Sequence, residues 1–207
     1  LVSPKGGGLF LRPGMGKTAL PLAILEHVAL NAGHPVALMS MEMGEEQVTR
    51  RRISSAGRIP LHKLKRPERL SDVDWSSMTE AVEKLRNVVY HVSDKGGLSL
   101  NQIRARARGL KRKKGLRVLA IDYLGLMETD AKENRAAALG RISRGIKALA
   151  KELGITILLL SQLNRGIENR INRRPMLSDL RESGDIEQDA DIILFVHREI
   201  VANPELP

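Results

Sequence analysis

The sequence predicts an α/β fold with a mostly parallel central sheet flanked by helices. Three observations predict it. A glycine-rich turn carrying Lys17 and Thr18 leads into a helical segment. Short, wholly apolar segments alternate with helical ones, which implies βαβ units. Several of those apolar segments end in a polar residue, and in an open parallel sheet the ligand site lies at the carboxyl ends of the strands.

In chain order, residues 9–11 are a short apolar approach to the turn. Residues 19–32 form a helix with Leu22, Ile24, Leu25, Val28 and Ala29 apolar; Pro21 is tolerated in its first turn, and Gly33 stops it. Residues 35–40 are a buried strand, and 45–56 a basic-ended helix. Residues 58–70 read as irregular, with Pro60 and Pro67. Ser71 with Asp74 resembles a capping box opening a helix to about Arg86. Residues 88–92, β-branched and aromatic, form a strand. Leu100, Ile103, Ala107 and Leu110 recur at helical spacing. Residues 118–121 form a strand ending in Asp122. A long helix over 135–153 carries Leu139, Ile142, Ile146, Leu149 and Leu153 on one side, with Gly154 as its cap. Residues 155–160, ending in Ser161 and Gln162, and residues 191–196 are the remaining strands. Their lack of polar alternation predicts burial on both faces.

The 207 residues suffice for one large domain with a real core, at 42% hydrophobic content. There is no cysteine, so no disulfide framework or thiolate metal site, which is consistent with a cytoplasmic location. No apolar run approaches the ~20 residues that span a bilayer, so no membrane partner is expected. The formal net charge of +10 favours a polyanionic partner. Aromatic residues make up only 2%, too few for stacking platforms, so any nucleic acid must be held by its phosphate backbone.

Residues 11–18 read as a phosphate-binding loop. Gly14 and Gly16 permit a tight turn around Met15 whose N–H groups face an anion, and the helix opening at Ala19 directs its N-terminal dipole there. Lys17 reaches the β- and γ-phosphates of a nucleotide such as ATP, and the Thr18 hydroxyl holds Mg²⁺. From this segment alone, an ordinary glycine turn before a helix reads equally well. Asp122 at the end of an apolar strand suits a Mg²⁺ carboxylate; a turn-forming Asp is the bland alternative. Glu42 either orients and deprotonates a water or merely leads the next helix. Gln162 either touches a γ-phosphate or is a polar strand terminus. Between Asp94 and Asp122 there is no carboxylate, but Arg104, Arg106, Arg108, Lys111, Arg112, Lys113, Lys114 and Arg117 fall there; a solvated helix face is the simpler reading. The arginine-rich stretch 164–182, which follows Gln162 without apolar periodicity, is the better nucleic-acid candidate.

Taken together, several blocks resemble the C-terminal motor domain of the replicative DNA helicases of the DnaB family. They are residues 12–20, Ser40-Met41-Glu42-Met43, residues 70–75, Ile121-Asp122-Tyr123-Leu124, residues 160–165, and the long block 174–184 continuing through 186–191. The resemblance covers about residues 11–204. It implies a RecA-like P-loop NTPase fold and a ring hexamer that moves along single-stranded DNA and unwinds duplex, with ATP between subunits. Primase and a helicase loader are further partners of that family. By the same likeness Lys17 and Thr18 bind phosphate and Mg²⁺, Glu42 is the catalytic carboxylate, Asp122 the Mg²⁺ carboxylate and Gln162 the γ-phosphate sensor. Arg181, Glu182 and Gly184 would line the DNA channel. A RecA-like recombinase or RadA-type protein, or a non-catalytic nucleotide-binding fragment, are the alternatives. The chain departs from the family at Leu11, where a small residue is usual, and over residues 1–8. The family also has an amino-terminal domain, a linker helix, and strands carrying a basic finger beyond the equivalent of Pro207. The expectation from sequence is therefore a single motor-domain fragment, weakly active alone.

Overall fold

The computed structural model describes residues 6–11, 16–129, 134–163, 174–177, 179 and 184–197. Six strands form one sheet: β1 (Gly6–Leu11), β2 (Val36–Ser40), β3 (Tyr90–Ser93), β4 (Val118–Asp122), β5 (Thr156–Gln162) and β6 (Ile192–Val196). Their order across the sheet is β3-β2-β4-β5-β1-β6, and every pairing is parallel. The helices are α1 (Ala19–Leu30), α2 (Glu45–Gly57), α3 (Leu61–Leu64), α4 (Asp72–Arg86), α5 (Leu100–Lys114), α6 (Arg135–Leu153) and α7 (Gly184–Asp189).

The core follows from the two-residue period of the strands. On β2 and β4, Val36, Leu38, Val118 and Ala120 face α1 and pack with Leu22, Leu25 and Ala29. The intervening Ala37, Met39, Leu119 and Ile121 face the other way and meet Ile103 of α5 and Ile142, Ile146 and Leu149 of α6. Both faces of these strands are covered, which is why their sequences lack polar alternation.

The helix ends answer to named residues. Ser71 accepts from the Asp74 N–H, and Asp74 accepts from the Ser71 N–H at 3.0 Å, the reciprocal box that opens α4. Ser99 and Gln102 do the same for α5. Helix α2 starts at Gly44, which has no capping side chain, so Asp94 beyond β3 accepts from the Glu45 N–H at 3.1 Å instead.

Four expectations need correction. Residues 58–70 are not irregular throughout: α3 and a 3₁₀ turn over Pro67–Arg69 lie there, because Pro67 presets a turn and offers no N–H that a turn must satisfy. The strand expected over 88–92 is Tyr90–Ser93; Val89 contributes only its carbonyl, to Val36, and its side chain stays exposed. The apolar approach at 9–11 is part of a six-residue strand that starts in three glycines. β1 runs between β5 and β6, so bonding on both edges outweighs glycine's low strand preference. Finally, β6 is not buried on both faces. Ile193 and Phe195 pack on the core, while Ile192 and Leu194 on the opposite face are 52% and 44% exposed, with β6 standing last in the described sheet.

Helix α5 uses part of its charge internally. Arg108 makes a two-pronged bridge to Glu152 of α6 at 2.7 and 2.9 Å, Arg106 donates to Ser93, and Lys111 reaches the Leu116 carbonyl at 3.3 Å. Among the described residues no helix is long and apolar enough to cross a membrane.

Asp74 gives an acid-sensitive marker. Lys63 beside it and the Ser71 donors hold its carboxyl down, from the ordinary 3.8 to about 2. A depressed folded pKa stabilises the fold above the unfolded value, and that contribution is lost as pH falls through about 2. Urea midpoints for the parent and Asp74→Asn should therefore differ at pH 5 and converge towards pH 2. A gap that stays constant with pH would contradict this origin.

Candidate functional site

Because the strands are all parallel, their carboxyl ends share one edge. Across it stand Glu42 just after β2, Asp122 ending β4, Gln162 ending β5, and Lys17 and Thr18 at the entry to α1. Leu11 lies in β1 itself, paired with Gln162 and Val196.

Gly16 has φ +98, a conformation that side chains rarely adopt, so glycine is required there. Its carbonyl accepts from the Ala19 and Leu20 N–H groups and starts α1. Thr18 is the N-cap of α1 yet does not cap it with its side chain. Its hydroxyl donates to Asp122 Oδ2 at 2.9 Å instead. A capping hydroxyl is worth about 1 kcal/mol to a helix. Here the hydroxyl is committed across the sheet edge.

Glu42 is placed by a turn. Ser40, fully buried and opposite Asp122 in register, donates to the Met43 carbonyl at 2.7 Å and accepts from its N–H at 3.0 Å. Met41 donates its N–H to the Asp122 carbonyl at 2.7 Å, tying this turn to β4. With Asp94 holding the start of α2, the turn carrying Glu42 is fixed on both sides.

The four side chains meet. Lys17 is only 7% exposed; its ammonium pairs with Glu42 Oε2 and lies 3.3 Å from Asp122 Oδ1. Asp122 is fully buried, whereas the Glu42 side chain is 46% exposed and open to water. Burial pushes the Asp122 carboxyl above its ordinary range, against the Lys17 charge and the Thr18 hydroxyl, which pull it down. Buried Asp122 Oδ1 has only the Lys17 ion pair at 3.3 Å, so this hard oxygen becomes available to a further partner once that lysine turns to another anion. A divalent cation beside the Thr18 hydroxyl fits that chemistry.

The ring of Tyr123 also belongs to this cluster: Lys17 Nζ sits 3.8 Å from its centroid. The sequence offered no signal for that role beyond an aromatic residue following Asp122. Gln162 stands on the same edge, exposed, with β4 on one side and β1 on the other. Gly14 and Met15 lie outside the described residues, as do Arg181 and Glu182 of the expected DNA channel; Gly184 is the first residue of α7.

Asp122 carries a stability consequence. A carboxyl whose folded pKa is raised contributes less as pH climbs through that value, because the buried charge is disfavoured. Asp122→Asn should therefore melt above the parent at neutral pH, without nucleotide or metal, and the difference should shrink in acid. A variant melting below the parent at pH 7 would show the Lys17 attraction outweighing desolvation.

Comparison with known proteins places this arrangement in context. The family model of the DnaB-like helicase C-terminal domain matches residues 9–206. The chain is 43% identical over 190 residues to the replicative DNA helicase DnaC of Bacillus subtilis (strain 168), covering 91% of this chain and 42% of that protein. It is 41% identical over 196 residues to the replicative DNA helicase DnaB of Geobacillus stearothermophilus, covering 94% and 43%. Among solved structures, one ATPase domain superposes with a TM-score of 0.93 at 39% identity, over 99% of this chain and 74% of that one. A DnaB-like replicative helicase studied with primase gives 0.93 and 39%, over 99% and 51%. The chain thus spans less than half the length of the curated relatives it matches, and corresponds to their C-terminal part. With a parallel sheet, a glycine turn and converging Lys17, Thr18 and Asp122, the chain belongs to the DnaB-like helicase C-terminal domain family.

Proposed function

We propose that this chain is the ATP-hydrolysing motor domain of a replicative DNA helicase, one that moves along single-stranded DNA and separates duplex as part of a ring of six copies. The observation that carries the reading is the meeting of Lys17, Thr18, Glu42 and Asp122 at one sheet edge, drawn from three separate βα connections. Packing alone does not call for two carboxylates, an ammonium and a hydroxyl in one place. The curated relatives are named as replicative DNA helicases, and one solved neighbour was studied with primase, which supports DNA and a primase as partners here. A helicase loader is a further partner by family likeness.

In this reading Gly14, Met15, Gly16 and Ala19 contribute backbone to the phosphate cradle. Lys17 moves its charge from the carboxylates to the β- and γ-phosphates. Thr18 and Asp122 would hold Mg²⁺, and Asp122 Oδ1, held only by its ion pair with Lys17, supports that role. Bound there, Mg²⁺ neutralises phosphate charge. Glu42, once released by Lys17, takes the proton of the attacking water at its accessible carboxylate. Gln162, on the neighbouring strand end, contacts the γ-phosphate and passes its loss to the segment beyond. Arg181, Glu182 and Gly184 meet the DNA backbone.

Lys17→Ala should abolish ATP hydrolysis while leaving the fold intact by circular dichroism. Glu42→Gln should bind Mg-ATP as the parent does and turn over about a hundredfold or more slowly. Asp122→Asn should lose the Mg²⁺ dependence of binding. Parental turnover in Lys17→Ala, or equal affinity loss in both carboxylate variants, would refute these roles.

For DNA, Arg181→Ala in the assembled ring should weaken single-strand binding for all sequences alike and lower its salt slope. Neutralising Arg104 and Arg108 together should do less, since Arg108 is already committed to Glu152. A larger loss from the double variant in salt-titrated affinity measurements would move the DNA path onto α5.

A further inference from the structure

Lys17 is held from three sides. Two are the carboxylates of Glu42 and Asp122; the third is the face of the Tyr123 ring, 3.8 Å from Nζ to the centroid. The carboxylates attract the ammonium without fixing the direction from which it is approached, because Coulomb attraction is radial. An aromatic face is directional: its quadrupole favours a cation above the ring plane. It also offers no competing anion, so it can keep contact with Nζ while the opposite side of the ammonium exchanges carboxylate for phosphate.

The ring itself is seated by its surroundings. Tyr123 packs on Leu160 of β5, in a small cluster that also holds Leu20 from the first turn of α1. Below it, Gly125 leaves the space it needs. A Cβ at that position would lie 2.6 Å from Tyr123 Cε2 and 3.2 Å from Cδ2, so any side chain there displaces the ring. Arg135 donates to the Gly125 carbonyl at 2.8 Å, anchoring this turn to the start of α6.

We infer that Tyr123 is a positioning residue for Lys17: its ring holds the ammonium at the mouth of the phosphate cradle, in the nucleotide-free protein and after nucleotide binds. The inference rests on reading Lys17 as the phosphate-binding lysine. The ring, not the hydroxyl, does this, so Phe serves and an aliphatic residue of similar bulk does not. The expected loss applies to phosphate-rich ligands, since Lys17 is directed at the β- and γ-phosphates.

The test is carried out on the full chain with four variants. Lysine-selective ¹³C NMR, with the Lys17 signal identified by its disappearance in Lys17→Arg, should show the Lys17 ε-protons shifted upfield by the ring current. The shift should survive in Tyr123→Phe and vanish in Tyr123→Leu, which keeps apolar bulk against Leu160. Gly125→Ala should reduce it by pushing the ring aside. In titrations with ATP and with AMP, Tyr123→Leu should lose about five- to tenfold in ATP affinity, the range a partly buried cation–ring contact supports, with AMP affinity unchanged. Tyr123→Phe should bind both as the parent does. Equal losses for ATP and AMP would make the ring a pocket wall only, and equal losses in the Phe and Leu variants would assign the effect to the hydroxyl; either overturns the inference. Absence of ATP binding by the unsubstituted chain would sink the nucleotide reading instead, and the NMR signal would still decide whether the ring holds the lysine.

Discussion

The rest of the site depends on compensation between two charges withdrawn from water, the Lys17 ammonium and the Asp122 carboxylate, 3.3 Å apart. Either left alone at that depth would be strongly disfavoured. Their pairing is incomplete: burial still raises the Asp122 pKa, and one of its oxygens stays without a hydrogen bond. The site is therefore built for a further charge. A carboxylate whose charge is disfavoured by burial, and a lysine shared among three neighbours, are poised to take new partners. This is a reason for such groups to persist at some cost in stability.

Much of the surrounding backbone serves that pair. Thr18 gives up capping its own helix to bond Asp122, and α2 borrows its cap from Asp94 on a distant loop. The Ser40 hydroxyl closes the turn that directs Glu42, and the Met41 N–H fastens that turn to β4. Apart from the local Ser40–Met43 bonds, these hydrogen bonds join segments at strand ends that the parallel sheet brings to one edge. The geometry thus comes from topology first and from side-chain choice second.

A second buried polar cluster lies further back. Arg52 of α2 stacks on the Tyr90 ring of β3 at 3.6 Å, near Glu26 of α1, and burial raises the Glu26 pKa while lowering that of Arg52. The cluster joins the helix leaving Thr18 to the helix following Glu42. Nothing in the sequence pattern marked it. Glu26 sits within an otherwise apolar helix, Arg52 within a basic stretch, and Tyr90 in a strand chosen for its β-branched neighbours.

By itself the sequence determined what depends on neighbours along the chain. Apolar spacing placed α1, α5 and α6, the Ser71–Asp74 box opened α4, and Gly154 closed α6, because caps and amphipathic faces are local. The Gly16-Lys17-Thr18 turn and the apolar run into Asp122 were legible for the same reason. Tertiary structure alone decided the rest. Strand order put β6 last in the described sheet, with Ile192 and Leu194 exposed, although its residues read like those of the buried β4. It also decided that Asp94 caps α2 and that Glu42, eighty residues from Asp122 in sequence, shares a lysine with it. Placing the Tyr123 ring over Lys17 required the space at Gly125 and the packing on Leu160, the latter a contact between segments far apart in the chain. Such contacts leave no periodic trace in the sequence, because they depend on how strands are ordered in space and not on how residues follow one another.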